Sequence, residues 1–150
     1  MSSVSISIAS TPEEIAGAAA IDTAVLGGNA RAAYIRSVAE RSGLRIAAVE
    51  GALQGFACLD DRYFFGKPFV SLLVVAPEAR RRGIGASLLA ACAQATPDVW
   101  TSTNRSNGPM RALLDAAGWR YCGEVSGLDE GDPERFYRAP GPGLDGCPAP

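Results

Sequence analysis

The sequence predicts an α+β domain of three layers, in which helices cover both faces of a mixed, mostly antiparallel sheet of seven strands. Two observations predict this class. Early in the chain, strand-like segments follow one another with short connections, which favours antiparallel pairing. Later, a strand, a helix and another strand follow in order between 69 and 103, which is typical of a single parallel crossover.

The first third of the chain indicates one strand and two helices. Residues 4–8 alternate apolar side chains with serines, the period of a half-buried strand. Thr11 is a suitable N-cap and Pro12 suits the first helical position, so a helix is expected from there to Leu26. A second helix is expected over 29–41, after a glycine pair.

The middle of the chain indicates three further strands. Segments 44–49 and 52–59 form two strands joined by a tight turn at Glu50-Gly51. Residues 60–68 are expected to form a connection. The next strand, 69–75, is almost entirely apolar, which indicates a central strand covered on both faces.

The rest of the domain alternates helices and strands. A helix is expected from Gly83 to Ala95 and a strand from Val99 to Thr103. A last helix starts at the Ser106-Asn107 cap, and short strands at 121–126 and 135–138 complete the sheet.

The last twelve residues are expected to lie outside the folded domain. Residues 139–150 contain four prolines and three glycines, too little apolar material to compensate for ordering. The sequence therefore predicts one domain over 1–138 and a flexible tail over 139–150.

Composition excludes several classes of function. The net charge of −2 argues against nucleic acid and anionic membranes as partners. There is no histidine, which removes imidazole bases and the usual histidine-containing catalytic and zinc sites. The four cysteines have no CxxC spacing, so we expect free thiols and no metal site. We find no membrane-spanning run and no signal-peptide pattern, and expect a cytoplasmic protein.

One segment carries the strongest chemical signal. The apolar strand 69–75 leads into Arg80-Arg81-Arg82 and then Gly83-Ile84-Gly85 at the start of a helix. The first N–H groups of a helix have no intrahelical partner and bind phosphate groups well. The segment lacks the lysine of a P-loop, and also the third glycine and later acid of a dinucleotide-binding fingerprint.

The spacing instead resembles the acyl-CoA-binding signature of the GNAT superfamily of N-acetyltransferases, Arg/Gln-x-x-Gly-x-Gly/Ala. Arg80, Gly83 and Gly85 fill its positions. A second match runs from Asn107 to Gly118-Trp119, at the separation usual in the family. The resemblance extends from about residue 3 to 138 and implies the acyl-CoA N-acyltransferase fold.

The resemblance implies acetyl-CoA as cosubstrate and assigns residues to it. Backbone N–H groups near the start of the helix would hold the pyrophosphate, the backbone of the central strand would bond the pantetheine arm, and a later asparagine would contact the cofactor. The cofactor-binding residues expected in this way are Leu73, Val75, Arg80, Arg81, Arg82, Gly83, Ile84, Gly85, Ala86 and Asn107. Alternatively, the glycines form an ordinary turn and the arginines a solvated charge run.

The catalytic groups are not defined by the resemblance. The family often places a glutamate on the central strand and a tyrosine in the later helix, where this chain has Ser71 and Leu114. The remaining candidates are Tyr137, Asp60 and Ser71. Alternatively, Asp60 belongs to a polar turn and Tyr137 is a core aromatic with a bonded hydroxyl.

The resulting hypothesis is direct transfer of acetyl from acetyl-CoA to an amine, carried by a small molecule or a protein. Two alternatives are a non-catalytic acyl-CoA sensor or interaction domain, which the absent glutamate and tyrosine would suit, and a nucleotide-dependent oxidoreductase using the Gly-x-Gly. The sequence is also compatible with a homodimer.

Overall fold

A computed structural model describes residues 3–141 of the chain. Within this range lie seven strands, four helices and a short 3₁₀ turn at Pro77–Ala79. The strands are β1 (Val4–Ile8), β2 (Leu44–Val49), β3 (Ala52–Phe64), β4 (Lys67–Val75), β5 (Trp100–Asn104), β6 (Arg120–Val125) and β7 (Glu134–Arg138). The helices are α1 (Pro12–Leu26), α2 (Ala32–Glu40), α3 (Ile84–Ala95) and α4 (Gly108–Ala116).

The strands form a single mixed sheet in the order β1-β2-β3-β4-β5-β7-β6. Neighbouring strands in it are antiparallel except β4 and β5, which are parallel. Helix α3 makes the crossover between these two strands. The predicted fold class is therefore confirmed, including the single parallel crossover.

The first helix begins and ends where its sequence predicts. Thr11 Oγ1 accepts from the Glu14 N–H at 3.1 Å, and Glu14 Oε1 accepts from the Thr11 N–H at 3.0 Å. This reciprocal capping box satisfies two N–H groups at the helix start. Gly27 adopts φ +87° and ends the helix in the left-handed region.

The expected connection over 60–68 is wrong. Strand β3 continues to Phe64, and β4 starts at Lys67 after a two-residue turn at Phe65-Gly66. Both turn residues have positive φ, +49° and +72°, as a tight hairpin requires. Ring packing favours the extension, because Phe64 stacks on Phe136 with ring centroids 5.1 Å apart.

Two apolar cores lie on the two faces of the sheet. Alternation along β3 places Phe56 and Cys58 in one core and Ala57 in the other. The first core contains Ile35 and its neighbours on α1 and α2. The second core contains Leu88 and its neighbours on α3 and α4. The helices are thus divided between the two faces.

The end of the described region extends beyond the expected domain boundary. Ala139 is 7% exposed, and its N–H donates to the Val99 carbonyl at 2.8 Å. The folded part therefore includes at least Ala139. The rest of the expected tail from 142 onward lies outside the described residues. No helix within 3–141 combines the length and apolar character needed to cross a membrane.

Candidate active site

The sheet opens between its two parallel strands. Within the described part of the chain, β4 and β5 pair only at Phe69–Trp100 and Val70–Thr101. Beyond these pairs the strands separate and leave a cleft of about 1000 Å³. One edge of β4 from Ser71 to Val75 therefore faces the cleft instead of a neighbouring strand.

A bulge on β4 lies where this opening begins. Val70 is opposite Leu59 and Leu72 is opposite Cys58, so Ser71 has no residue opposite it on β3. An extra residue of this kind bends a strand and redirects its side chains. Ser71 lines the cleft as a result.

The backbone of β4 offers hydrogen-bonding groups to the cleft. The Ala76 N–H donates to the Gln54 carbonyl across the β3 side at 2.8 Å. Because the bonding direction alternates along a strand, Val74 bonds on the same side as Ala76. The amide groups of Leu73 and Val75 therefore point to the open edge.

The start of α3 presents unpaired amide groups at the other end of this cleft. Gly83 is the N-cap residue with φ +78°, and among residues 3–141 no side chain caps the helix. The first three helical N–H groups, 84–86, have no intrahelical acceptor. Together with the helix dipole they form a suitable site for a phosphate group.

Most of the expected cofactor-binding residues surround this cleft. Those that line it are Leu73, Val75, Arg80, Arg81, Gly83, Ile84, Gly85, Ala86 and Asn107. Arg82 lies outside the lining. Asn107 also caps α4, since its Oδ1 accepts from the Met110 N–H at 3.2 Å. Nine of the ten residues expected from the sequence therefore lie on one continuous surface.

The three catalytic candidates have different surroundings. Ser71 lines the cleft. Tyr137 is only 1% exposed and lies in the core, with its hydroxyl accepting from Arg135 Nε at 3.1 Å, which matches the alternative interpretation. Asp60 is 4% exposed and lies within β3, so its interpretation as a polar turn is wrong.

Asp60 is held by three neighbours. Its Oδ2 accepts from the Tyr34 hydroxyl at 2.6 Å, and its Oδ1 accepts from the Arg62 N–H at 2.9 Å and lies 3.1 Å from Arg41 Nη2. Burial alone would raise the pKa of Asp60, but the bonds from Tyr34 and Arg62 and the charge of Arg41 bring it below its ordinary value. Asp60 is therefore ionised at neutral pH.

The catalytic candidates named from the sequence did not include Tyr34, whose hydroxyl joins Asp60 to Ser71. Its hydroxyl lies 2.6 Å from Ser71 Oγ. Burial, followed by the bond to Asp60, raises the pKa of Tyr34, so the hydroxyl keeps its proton. Helical spacing is the sequence pattern that could have indicated its position. Tyr34 precedes the buried Val38 by four residues and Arg41 by seven, so the three lie on the same side of the predicted helix.

The thiols are poorly suited to nucleophilic chemistry here. Burial, above all, raises the pKa of Cys58 to about 12 and that of Cys92 to about 11. Of the cysteines that the structure describes, none lines the cleft. The described residues also contain no group of three side chains arranged to hold a metal ion.

A mixed sheet that opens between one parallel pair, beside an uncapped helix start, is the arrangement of the acyl-CoA N-acyltransferase fold. The model of the acetyltransferase (GNAT) family matches residues 12–119. The chain belongs to this family of acyltransferases. Its single parallel pair also differs from the parallel sheet of a dinucleotide-binding domain, so the oxidoreductase alternative has no support.

Solved structures of other proteins share this fold. A GNAT-family acetyltransferase from Bacillus cereus is 32% identical, with a TM-score of 0.85 over 91% of this chain and 96% of that chain. The protein yncA from Salmonella typhimurium, solved with its cofactor acetyl-CoA, is 18% identical, with a TM-score of 0.65 over 90% and 92%. Ard1 from Thermoplasma volcanium is 19% identical, with a TM-score of 0.70 over 90% and 96%. A comparison with curated proteins found no significant match.

Proposed function

We propose that this chain transfers an acetyl group from acetyl-CoA to an amine of a small molecule or protein. The observation that supports it most is the continuity of the cleft. An open strand edge, with the amides of Leu73 and Val75, leads to the uncapped amides of α3. An elongated amide-containing arm that ends in a diphosphate matches these two kinds of donor.

Each part of the cleft has a proposed task. Bound acetyl-CoA supplies an acetyl group activated as a thioester. The N–H groups of 84–86 hold its pyrophosphate, and Leu73 and Val75 bond its pantetheine arm as an added strand would. One of these two N–H groups polarises the thioester carbonyl. Asn107 contacts the cofactor from the start of α4.

We propose direct transfer without a covalent acyl-enzyme. The high pKa values of Cys58 and Cys92, and their burial in the two cores, support this route. Holding the two reactants together in the correct orientation supplies much of the acceleration in such a reaction. The free thiols of Cys58 and Cys92 support a cytoplasmic location.

The test combines binding and turnover. Calorimetry with coenzyme A should detect one site per chain, and NAD should give no heat of binding. Release of the free thiol of CoA from acetyl-CoA is then measured with a panel of amines that includes amino acids, polyamines and peptides. Acceptor-dependent release supports the proposal, and the absence of CoA binding contradicts it.

A non-catalytic acyl-CoA sensor is the second candidate. Leu114, at the position of the family tyrosine, is fully buried in the core and offers no proton to the cleft. Ser71 takes the place of the family glutamate. Tight CoA binding without thiol release on every amine of the panel would favour the sensor over the enzyme.

A further inference from the structure

We infer that the Ser71 hydroxyl accepts a hydrogen bond from an N–H of the acceptor, and that Tyr34 and Asp60 are positioning residues that fix its orientation. This inference rests on the proposed function, since it concerns the amine that would be acetylated. It predicts that the cleft binds amines with N–H groups preferentially, and this preference can be measured without acetyl-CoA.

The direction of the hydrogen bonds follows from counting protons. An ionised carboxylate only accepts hydrogen bonds, so Tyr34 donates its single hydroxyl proton to Asp60 Oδ2, 2.6 Å away. The Tyr34 oxygen can then only accept from Ser71, whose Oγ is also at 2.6 Å. The proton of Ser71 is therefore committed to Tyr34. Toward the cleft, Ser71 offers lone pairs alone.

The fold fixes the geometry of the hydrogen bonds that join Asp60, Tyr34 and Ser71. Tyr34 comes from α2, Asp60 from β3, and Ser71 is the bulged residue of β4. Of the three, only Ser71 lines the cleft. Arg41 and the Arg62 N–H occupy the other carboxylate oxygen. They balance the buried charge and leave Oδ2 for Tyr34.

The charged groups near the Asp60–Tyr34–Ser71 hydrogen bonds favour ligand binding by hydrogen bonding over simple attraction of cations. Arg41 offsets the charge of Asp60, and Arg31, which also lines the cleft, is itself paired with the buried Asp22. A ligand at Ser71 is therefore selected for its N–H groups more than for its charge. Primary and secondary amines fit this requirement. A quaternary ammonium ion does not.

The test compares two probes with the same charge and different hydrogen-bonding capacity. Benzylammonium has N–H donors, and benzyltrimethylammonium has none. Each is titrated into the isotope-labelled full chain, and the backbone amide signals of Ser71 and Leu72 are followed by NMR. The wild type should bind benzylammonium more tightly by about fivefold, as one hydrogen bond provides.

Three variants test which side chains cause this preference for benzylammonium. Ser71→Ala removes the acceptor and should abolish it. Tyr34→Phe releases the Ser71 proton, so Ser71 can also donate and the preference should fall partway. An undiminished preference in a folded Tyr34→Phe protein overturns the positioning role of Tyr34 and Asp60. Tyr121→Phe, which removes a hydroxyl from β6 outside the cleft lining, is the matched control and should keep it. Thermal unfolding checks each fold, and Ser71→Ala decides the result should Tyr34→Phe not fold.

The outcomes separate this inference from the proposed function. Equal affinity of the wild type for the two probes, or a preference that survives in Ser71→Ala, overturns the inference. Neither result depends on catalysis, because no coenzyme is present. Failure of the proposed function would instead appear as an absence of thiol release across the amine panel, whatever the probes show.

Discussion

The Thr101 hydroxyl donates to the Val70 carbonyl at 2.8 Å, across the last backbone pair that joins β4 to β5. Thr101 is only 1% exposed, so the bond is shielded from water. It connects the two strands at the point where they separate. The position of this bond therefore defines the closed end of the cleft.

Replacing Thr101 by valine should lower the free energy of unfolding by about 1–2 kcal/mol. Valine has a similar shape but leaves the buried Val70 carbonyl without this donor. Thr103→Val is the matched control, because Thr103 lies on the same face of β5 and is also buried. Urea denaturation measures the free energy of unfolding of both variants. An equal loss in the two variants would argue against a specific role of the Thr101 bond.

Gly85→Val should weaken the binding of coenzyme A at least tenfold, or about 1.4 kcal/mol. A Cβ at Gly85 would lie 3.0 Å from Leu113 Cδ2 and 4.0 Å from Val75 Cγ2, two side chains that line the cleft. The branched valine must displace them. Calorimetry with coenzyme A measures the effect.

Gly108→Val is the control for this change. Gly108 also lies in the first turn of a helix, but a Cβ there would meet open space. Its affinity for coenzyme A should stay close to that of the wild type. The proposed site at the start of α3 would be refuted by a folded Gly85→Val protein with unchanged affinity.

Gly83→Ala tests the backbone conformation at the same helix start. Gly83 has φ +78°, and a Cβ there would contact no other atom within 4 Å. Any loss therefore comes from the left-handed conformation, which costs an alanine about 1 kcal/mol. We expect this loss of stability together with weaker binding of coenzyme A, since relaxation of Gly83 moves the neighbouring amides.

Gly51→Ala separates stability from binding. Gly51 has φ +80° in the turn between β2 and β3, and a Cβ there would also meet open space. The two variants should lose similar unfolding free energy, but only Gly83→Ala should lose affinity for coenzyme A. Weaker binding in both variants would point to a general effect of stability.

The sequence predicted the elements of the fold because their signals are local. The Thr11 cap, the glycine after α1 and the apolar run of β4 each act within a few neighbouring residues. The glycine-rich start of α3 is local in the same sense. Its backbone donors come from consecutive residues, so their spacing in the chain is also their spacing in the site.

The sequence could not predict the contacts around Ser71. Tyr34 meets Asp60 across 26 positions and Ser71 across 37, and these pairs depend on the register of β3 against β4. The bulge at Ser71 leaves no pattern in a single sequence. The extension of β3 past Asp60 was missed because two consecutive aspartates are typical of a turn, whereas long-range packing of Phe64 stabilises the strand.

Asp60→Asn should lower the free energy of unfolding at neutral pH. It should also make the free energy of unfolding depend less on pH in the acidic range. The pKa of Asp60 is lower in the folded protein than its ordinary value of 3.8. Its carboxylate therefore stabilises the fold at pH values above about 4, and this contribution is lost as the pH falls through the lower folded pKa. At pH 7 we expect a loss of about 2 kcal/mol, since Arg41 loses its partner but is 28% exposed.

Urea denaturation between pH 2 and pH 7 measures this effect. The wild type should lose stability below about pH 4, and Asp60→Asn should lose less over the same interval. Part of the decline should remain in the variant, because the pKa of Asp98 is also lowered in the folded state. Asp61→Asn, which removes a carboxylate at the exposed neighbouring position, is the matched control. Parallel curves for Asp60→Asn and the wild type would show that Asp60 is not the ionised, stabilising carboxylate that its contacts with Tyr34 and Arg41 imply.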